Sequence, residues 1–256
     1  MRWAWSRGIG CGWLVGLVVT ACFLQWPPAS HAQRSNSIVA LLDITAPGRG
    51  TNVFGSGFLI NPDGTVLTNA HVLLGAQRDP DHHRLIALWQ ADWFSASVIC
   101  TSIPGSDPAA LDFSQAVHPR RDIAEVRLAP ALDGRVLNVQ GRQWRPHTGG
   151  LPAFPALRFA LHDPAPGQEV EAVAYDFTAG PPTLTTKRGR VRDLYKASDG
   201  TPVVGVHYTT PIEHGASGAP ILDLSGDVVG IQTWGSASTP GDGAAIAQSA
   251  LRTPCR

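Results

Sequence analysis

The stretch Glu213-His214-Gly215-Ala216-Ser217-Gly218-Ala219-Pro220 decides how this chain is read. A serine hydroxyl becomes a useful nucleophile only when a neighbouring base takes its proton and fixed donors hold the oxyanion it creates. Gly215 has no Cβ, so the backbone can turn tightly and aim peptide N–H groups at a substrate carbonyl. Downstream, Pro220-Ile221-Leu222-Asp223 and Gly226-Asp227-Val228-Val229-Gly230-Ile231 read as strand, turn and strand. Ser217 therefore sits on a turn that opens into a β-hairpin, not on a strand-to-helix elbow, and the surrounding fold reads as all-β. A Gly/Ser turn without chemistry fits the same residues. The rest of the chain has to supply a histidine and a carboxylate.

Composition narrows the class. The 256 residues carry 20 Lys+Arg against 20 Asp+Glu and are 16% charged, which excludes a basic nucleic-acid binder and a disordered acidic tail. Hydrophobic content of 43%, with 27 Gly, 21 Pro and 1 Met, suits a turn-rich β protein better than a helical one.

The N-terminus reads as an export signal. Arg2 and Arg7 precede the apolar run Trp13-Leu14-Val15-Gly16-Leu17-Val18-Val19, and Ser30-His31-Ala32 is a small-x-small site with cleavage expected before Gln33. Residues 1–32 are thus set apart from the fold. Val19-Thr20-Ala21-Cys22 also resembles a bacterial lipobox, which would lipidate Cys22, and an uncleaved anchor is a further alternative. All three routes export the domain, as a secreted or periplasmic protein or as a membrane-anchored lipoprotein. Membrane contact is expected only through Cys22 or an uncleaved signal. The mature chain keeps Cys100 and Cys255, which read as a disulfide in an oxidising compartment or as two separate buried thiols.

In chain order, Ser37 to Leu42 reads as a first strand. Gly55-Ser56-Gly57-Phe58-Leu59-Ile60, the turn Asn61-Pro62-Asp63-Gly64 and Thr65-Val66-Leu67-Thr68-Asn69 read as a hairpin, the Asp-Gly pair being a strong turn signal. Ala70-His71-Val72 follows. The segment Gly55 to Leu74, with its Thr-Asn-Ala-His run, resembles trypsin/chymotrypsin-like serine peptidases. The likeness is strongest to bacterial members such as glutamyl endopeptidases and high-temperature-requirement peptidases. Arg121-Asp122-Ile123-Ala124-Glu125-Val126-Arg127-Leu128 resembles the family's Asp-Ile-Ala segment, with Glu125 where an aliphatic residue is usual. Asp107 and Asp112 are rival carboxylates, but neither leads into an alternating strand.

The resemblance implies two six-stranded antiparallel β-barrels with the active site between them. Expected boundaries are 33–145 for the first barrel, 146–166 for the crossing and 167–256 for the second barrel, with Gly134 to Pro166 rich in crossing-type Gly and Pro. It further implies His71, Asp122 and Ser217 as catalytic triad, in the chymotrypsin order, and the N–H groups of Gly215 and Ser217 as oxyanion hole. Thr233-Trp234-Gly235 would pair with substrate backbone and wall the primary pocket, with Ile212 at its base; His214 reads either as lining its entrance or as a plain exposed loop histidine.

Departures from trypsin matter as much. Ala216 stands where trypsins carry the aspartate of their activation ion pair, so the domain is expected to fold active. Pro211-Ile212 offers no carboxylate, so cleavage after Lys or Arg is disfavoured and a small or apolar residue is expected. Thr233 replaces the histidine of glutamyl endopeptidases, which disfavours acidic specificity. With the last residue at Arg256, the peptide-binding module that follows the protease in high-temperature-requirement enzymes is not expected.

The polar loop with Asp79, Asp81, His82 and His83 reads as solvated rather than as a metal site. The expectation is a serine endopeptidase acting on protein or peptide substrates, monomeric, without metal, cofactor or nucleic acid. A non-catalytic binding protein on the same fold and a dedicated esterase or processing enzyme are the alternatives.

Overall fold

The computed structural model describes residues 31–45, 53–102, 122–197, 200–212, 214–236, 239 and 241–251. The signal stretch up to residue 30 with Cys22, the insertion 103–121 with Asp107 and Asp112, Glu213, and the terminus with Cys255 lie outside the described residues.

Among the described residues, fourteen strands and little helix make up the fold. The first half contributes β1 (Ile38–Thr45), β2 (Val53–Leu59), β3 (Thr65–Thr68), β4 (His83–Trp89), β5 (Asp92–Thr101) and β6 (Ala124–Ala129). They run in the order β4-β1-β2-β3-β6-β5, and β4 pairing with β5 closes them into a barrel. The second half contributes β9 (Glu169–Asp176), β10 (Thr183–Lys196), β11 (Pro202–Tyr208), β12 (Pro220–Asp223), β13 (Val228–Gly235) and β14 (Asp242–Ala247), closed in the order β10-β11-β14-β13-β12-β9. The two six-stranded antiparallel barrels are the expected ones.

Strand β1 shows why its sequence is a continuous apolar run rather than an alternation. Val39 and Leu41 point into the first barrel, beside Leu59, Val66 and Phe94. Ile38, Ala40 and Leu42 point the other way, into a cluster shared with Tyr175, Leu222 and Ile231 of the second barrel. Residues 38–42, buried on both faces, are accordingly apolar at every position, and the buried Asp43 that follows is matched by the Ala76 N–H and the His83 ring. The same division runs through the second barrel, where Val229 and Ala245 fill its interior while Ile231 and Ile246 face the first barrel. Each fully buried Leu, Ile or Phe contributes about 1.5–3 kcal/mol, so the shared cluster holds the two barrels together and fixes the cleft between them.

Two segments differ from the sequence reading. The Gly- and Pro-rich passage between the barrels contains a hairpin, β7 (Leu137–Val139) and β8 (Arg142–Pro146), which joins the first sheet through a parallel β5–β8 pairing. Its turn, Gln140-Gly141, has both residues at positive φ, +49° and +89°, as a tight two-residue hairpin requires. Strand β10 is also long, because residues 183–186, just after Pro181-Pro182, already pair with residues 173–176 of β9.

Helix α1 (His31–Asn36) spans the junction ahead of Gln33. It touches both barrels: the Asn36 carbonyl accepts from the Trp89 indole at 2.6 Å, and Arg34 donates to the Leu224 carbonyl at 2.9 Å. Short helices α2 (Leu74–Arg78) and α3 (Gln248–Leu251) complete the described fold.

Candidate active site

His71 lies on a 3-10 turn, Ala70–Leu73, directly after β3. Its neighbours Ala70, Val72 and Leu73 are buried, which pins the turn and leaves the imidazole on the cleft side. Asp122 precedes β6 and is fully buried. Its Oδ1 accepts the His71 backbone N–H at 2.9 Å, and its Oδ2 lies 2.5 Å from His71 Nδ1. One carboxylate thus holds both the backbone and the ring of the same residue. With Asp122 ionised, the ring proton sits on Nδ1 and the lone pair on Nε2.

Ser217 lies on a turn braced by two glycines in the left-handed region, Gly215 at φ +103° and Gly218 at φ +85°. Space forbids a side chain at either. A Cβ on Gly215 would come within 2.6 Å of the Tyr175 carbonyl, and one on Gly218 within 2.1 Å of the Ser56 carbonyl. The His214 carbonyl accepts the Phe177 N–H at 3.5 Å. In a trans peptide the Gly215 N–H then points the opposite way.

The cleft between the barrels has a volume of about 810 Å³. His71, Ser217 and Gly215 line it, as do the predicted Ile212, His214, Thr233, Trp234 and Gly235. Asp122 stands behind His71, out of the solvent. Ile212 is half-buried and packs on a small cluster of Ala174, Ala216 and Ala219, so the position before the serine is apolar. The Thr233 hydroxyl faces inward, donating to the Ile231 carbonyl at 3.0 Å and accepting from Asn69 Nδ2 at 3.1 Å.

The sequence reading missed four contributors. Ser56 donates its hydroxyl to the Gly215 carbonyl at 2.7 Å, accepts the Tyr175 N–H at 2.9 Å, and donates its own N–H to the Ser217 carbonyl at 2.8 Å. Buried Asn69 bridges the Asp122 carbonyl, at 2.6 Å, and Thr233. Gln140, at the tip of the β7–β8 hairpin, reaches the Phe177 carbonyl at 3.1 Å, and Phe54 stacks on Phe177 with ring centres 4.9 Å apart. A small residue between two glycines was the one visible hint of Ser56.

The acidic-histidine loop does not converge. His82 pairs with Asp79 at 2.7 Å on the surface, whereas His83 turns inward to Asp43 at 2.8 Å. Glu125, which stands where the resembling family usually has an aliphatic residue, is half-buried, and burial holds its carboxyl above the usual range, with Arg127 acting in the opposite sense.

Two closed barrels meeting at a cleft of this kind define the chymotrypsin-like class. The chain belongs to the trypsin-like peptidase family: the model of the trypsin-like peptidase domain matches residues 55–231. Among curated relatives, rat serine protease HTR4 is 27% identical over 70% of this chain and 29% of its own length. The bovine mitochondrial serine protease HTRA2 is 27% identical over 84% of this chain and 42% of its own. The chain therefore spans less than half the length of these relatives. Among solved structures, the active form of the Rv3671c protease of M. tuberculosis superposes with a TM-score of 0.61 at 21% identity, covering 90% of this chain and 86% of that one. The serine endoprotease of Yersinia pestis gives 0.55 at 20% identity, over 88% and 65%. At these identities the structural likeness speaks for the fold.

Proposed function

We propose that this chain is an exported serine endopeptidase that hydrolyses protein or peptide substrates through an acyl-enzyme. Ser217 Oγ attacks the scissile carbonyl carbon while His71 Nε2 takes the hydroxyl proton. The N–H groups of Gly215 and Ser217 hold the oxyanion. As the C–N bond breaks, His71 delivers the proton to the leaving amine, and water then repeats the sequence on the acyl ester. Asp122 keeps the imidazole in the required tautomer and stabilises its charged form. The observation that carries this reading is the His71–Asp122 pair at 2.5 Å, presented to the same cleft as Ser217 on its glycine turn.

The domain needs no activating ion pair, because Ala216 packs against Ala174 and Ala219 instead of presenting a charge. Export rests on the signal-like residues 1–32, with Cys22 as an alternative lipid attachment point. Among the described residues, no helix is long and apolar enough to cross a membrane. A Cys100–Cys255 bridge, supported by the bonded state of the Cys100 sulfur, would tie the C-terminus to β5 in an oxidising compartment. The test is hydrolysis of a denatured protein substrate by the domain starting at Gln33. Cleavage that disappears in Ser217→Ala supports the proposal. Cleavage that persists in that variant removes it.

A further inference from the structure

Among the described residues lining the cleft there is no Asp, Glu, Lys or Arg; the titratable ones are His71 and His214. The strand pair beside Ser217 narrows the question of what the cleft accepts. Gly235 of β13 pairs with Gly243 of β14. Two facing glycines leave a slot between strands, and on the Gly235 side it is open, with nothing within 4 Å of where a Cβ would sit. The Gly243 side is filled. A Cβ there would meet the Tyr208 ring at 2.9 Å, Gln232 Nε2 at 3.1 Å and the Trp234 carbonyl at 3.3 Å.

The filling is a fixed unit. Gln232 is buried; its Oε1 accepts the Tyr208 hydroxyl at 2.6 Å and its Nε2 donates to the Trp234 carbonyl at 2.6 Å. The ladder shifts register between Gln232 and Trp234, and the side-chain amide supplies a donor at that irregularity. Gln232 also adjoins the nucleophile, since its carbonyl accepts the Gly218 N–H at 2.9 Å and its N–H donates to Ala219 at 2.8 Å. With the amide held from both ends, the floor offers an entering side chain no charge, and the amide cannot turn toward it without giving up one of these bonds.

We propose that Gln232 and Tyr208 form the floor of the primary pocket and restrict it to a small uncharged side chain, such as alanine or valine, on the residue whose carbonyl Ser217 attacks. A Lys, Arg or Glu side chain there would lose its water without gaining a partner. A phenylalanine would have to displace the Gln232 amide from two hydrogen bonds. The inference rests on the peptidase reading and names its substrate class.

The test separates the two. Ser217→Ala is titrated with N-acyl tetrapeptides that differ only in the C-terminal residue, Ala, Val, Phe, Arg or Glu, and the unaltered chain is assayed for cleavage after the same residues. Ala and Val peptides are expected to bind at least ~10-fold tighter than the other three, and kcat/KM to follow the same ranking. Gln232→Ala deepens the slot and should raise Phe relative to Ala by about 10-fold. Where that variant does not fold, Tyr208→Phe, which keeps the ring but frees the amide, should narrow the Ala-to-Phe ratio severalfold. No binding, equal binding across the series, a preference for Phe, Arg or Glu, or a ratio unmoved in the floor variant overturns the assignment. The expected binding order without any cleavage would keep the pocket and remove the peptidase reading.

Discussion

The hydroxyl of Ser56 donates to the carbonyl of Gly215 at 2.7 Å, so a residue of the first barrel fixes the turn on which the second barrel carries Ser217. The same hydroxyl accepts the Tyr175 N–H, which sets its rotamer. Ser56 thus holds the turn from which the proposed oxyanion donors, the N–H groups of Gly215 and Ser217, project. Ser56→Ala should lower kcat by about 10- to 100-fold with KM nearly unchanged, because the interaction matters most once negative charge develops. Steady-state kinetics on a peptide substrate decides it. A rise in KM with kcat preserved would assign Ser56 to ground-state binding instead.

Asp122 is fully buried and engages His71 twice. Asp122→Asn keeps the volume and an acceptor for the His71 N–H but stabilises the wrong ring tautomer. We expect kcat to fall by ~10⁴ while the circular dichroism spectrum is retained. Activity near that of the unaltered chain would remove Asp122 from the triad.

Gly218→Ala combines two costs at one position. The φ of +85° is strained for alanine, and the added Cβ would sit 2.1 Å from the Ser56 carbonyl and 2.3 Å from Thr68 Oγ1. Stability should drop by about 1–3 kcal/mol and activity should be lost, as read by urea unfolding and peptide hydrolysis. An unchanged midpoint with full activity would contradict the close approach of the barrels at this turn.

Tyr208 ties the pocket floor to alkaline stability. Complete burial pushes the pKa of its phenol far above the ordinary value near 10. The folded state therefore keeps a proton that the unfolded chain releases. The stabilisation is complete below the unfolded value and declines as pH rises above about 10, by up to about 1.4 kcal/mol per pH unit from this group. Burial shifts Tyr175 in the same direction. In urea melts from pH 8 to 11, Tyr208→Phe should flatten the alkaline decline without abolishing it. A decline identical to that of the unaltered chain would mean that Tyr208 does not titrate on unfolding.

The segments around His71, Asp122 and Ser217 were legible because each carries its own local context: a hairpin ending in Thr-Asn-Ala-His, a carboxylate ahead of an alternating strand, and a glycine-flanked serine ahead of a hairpin. The double barrel followed from those segments together. What escaped was whatever depends on distant pairing. Ser56 and Gly215 are 159 residues apart, and Asn69 and Asp122 are 53 apart, so neither bond leaves a local pattern. The β7–β8 hairpin escaped for another reason. Gln140 stands at a positive-φ position where Asn, Asp or Gly is the usual signal, and the surrounding Gly and Pro residues read as a passage.

The central claim is an activated serine at residue 217, and the most direct measurement is intact mass after treating the domain from Gln33 onward with a fluorophosphonate. The account predicts a single adduct that is lost in Ser217→Ala. A folded domain that takes no adduct, or an adduct that survives in that variant, would contradict it.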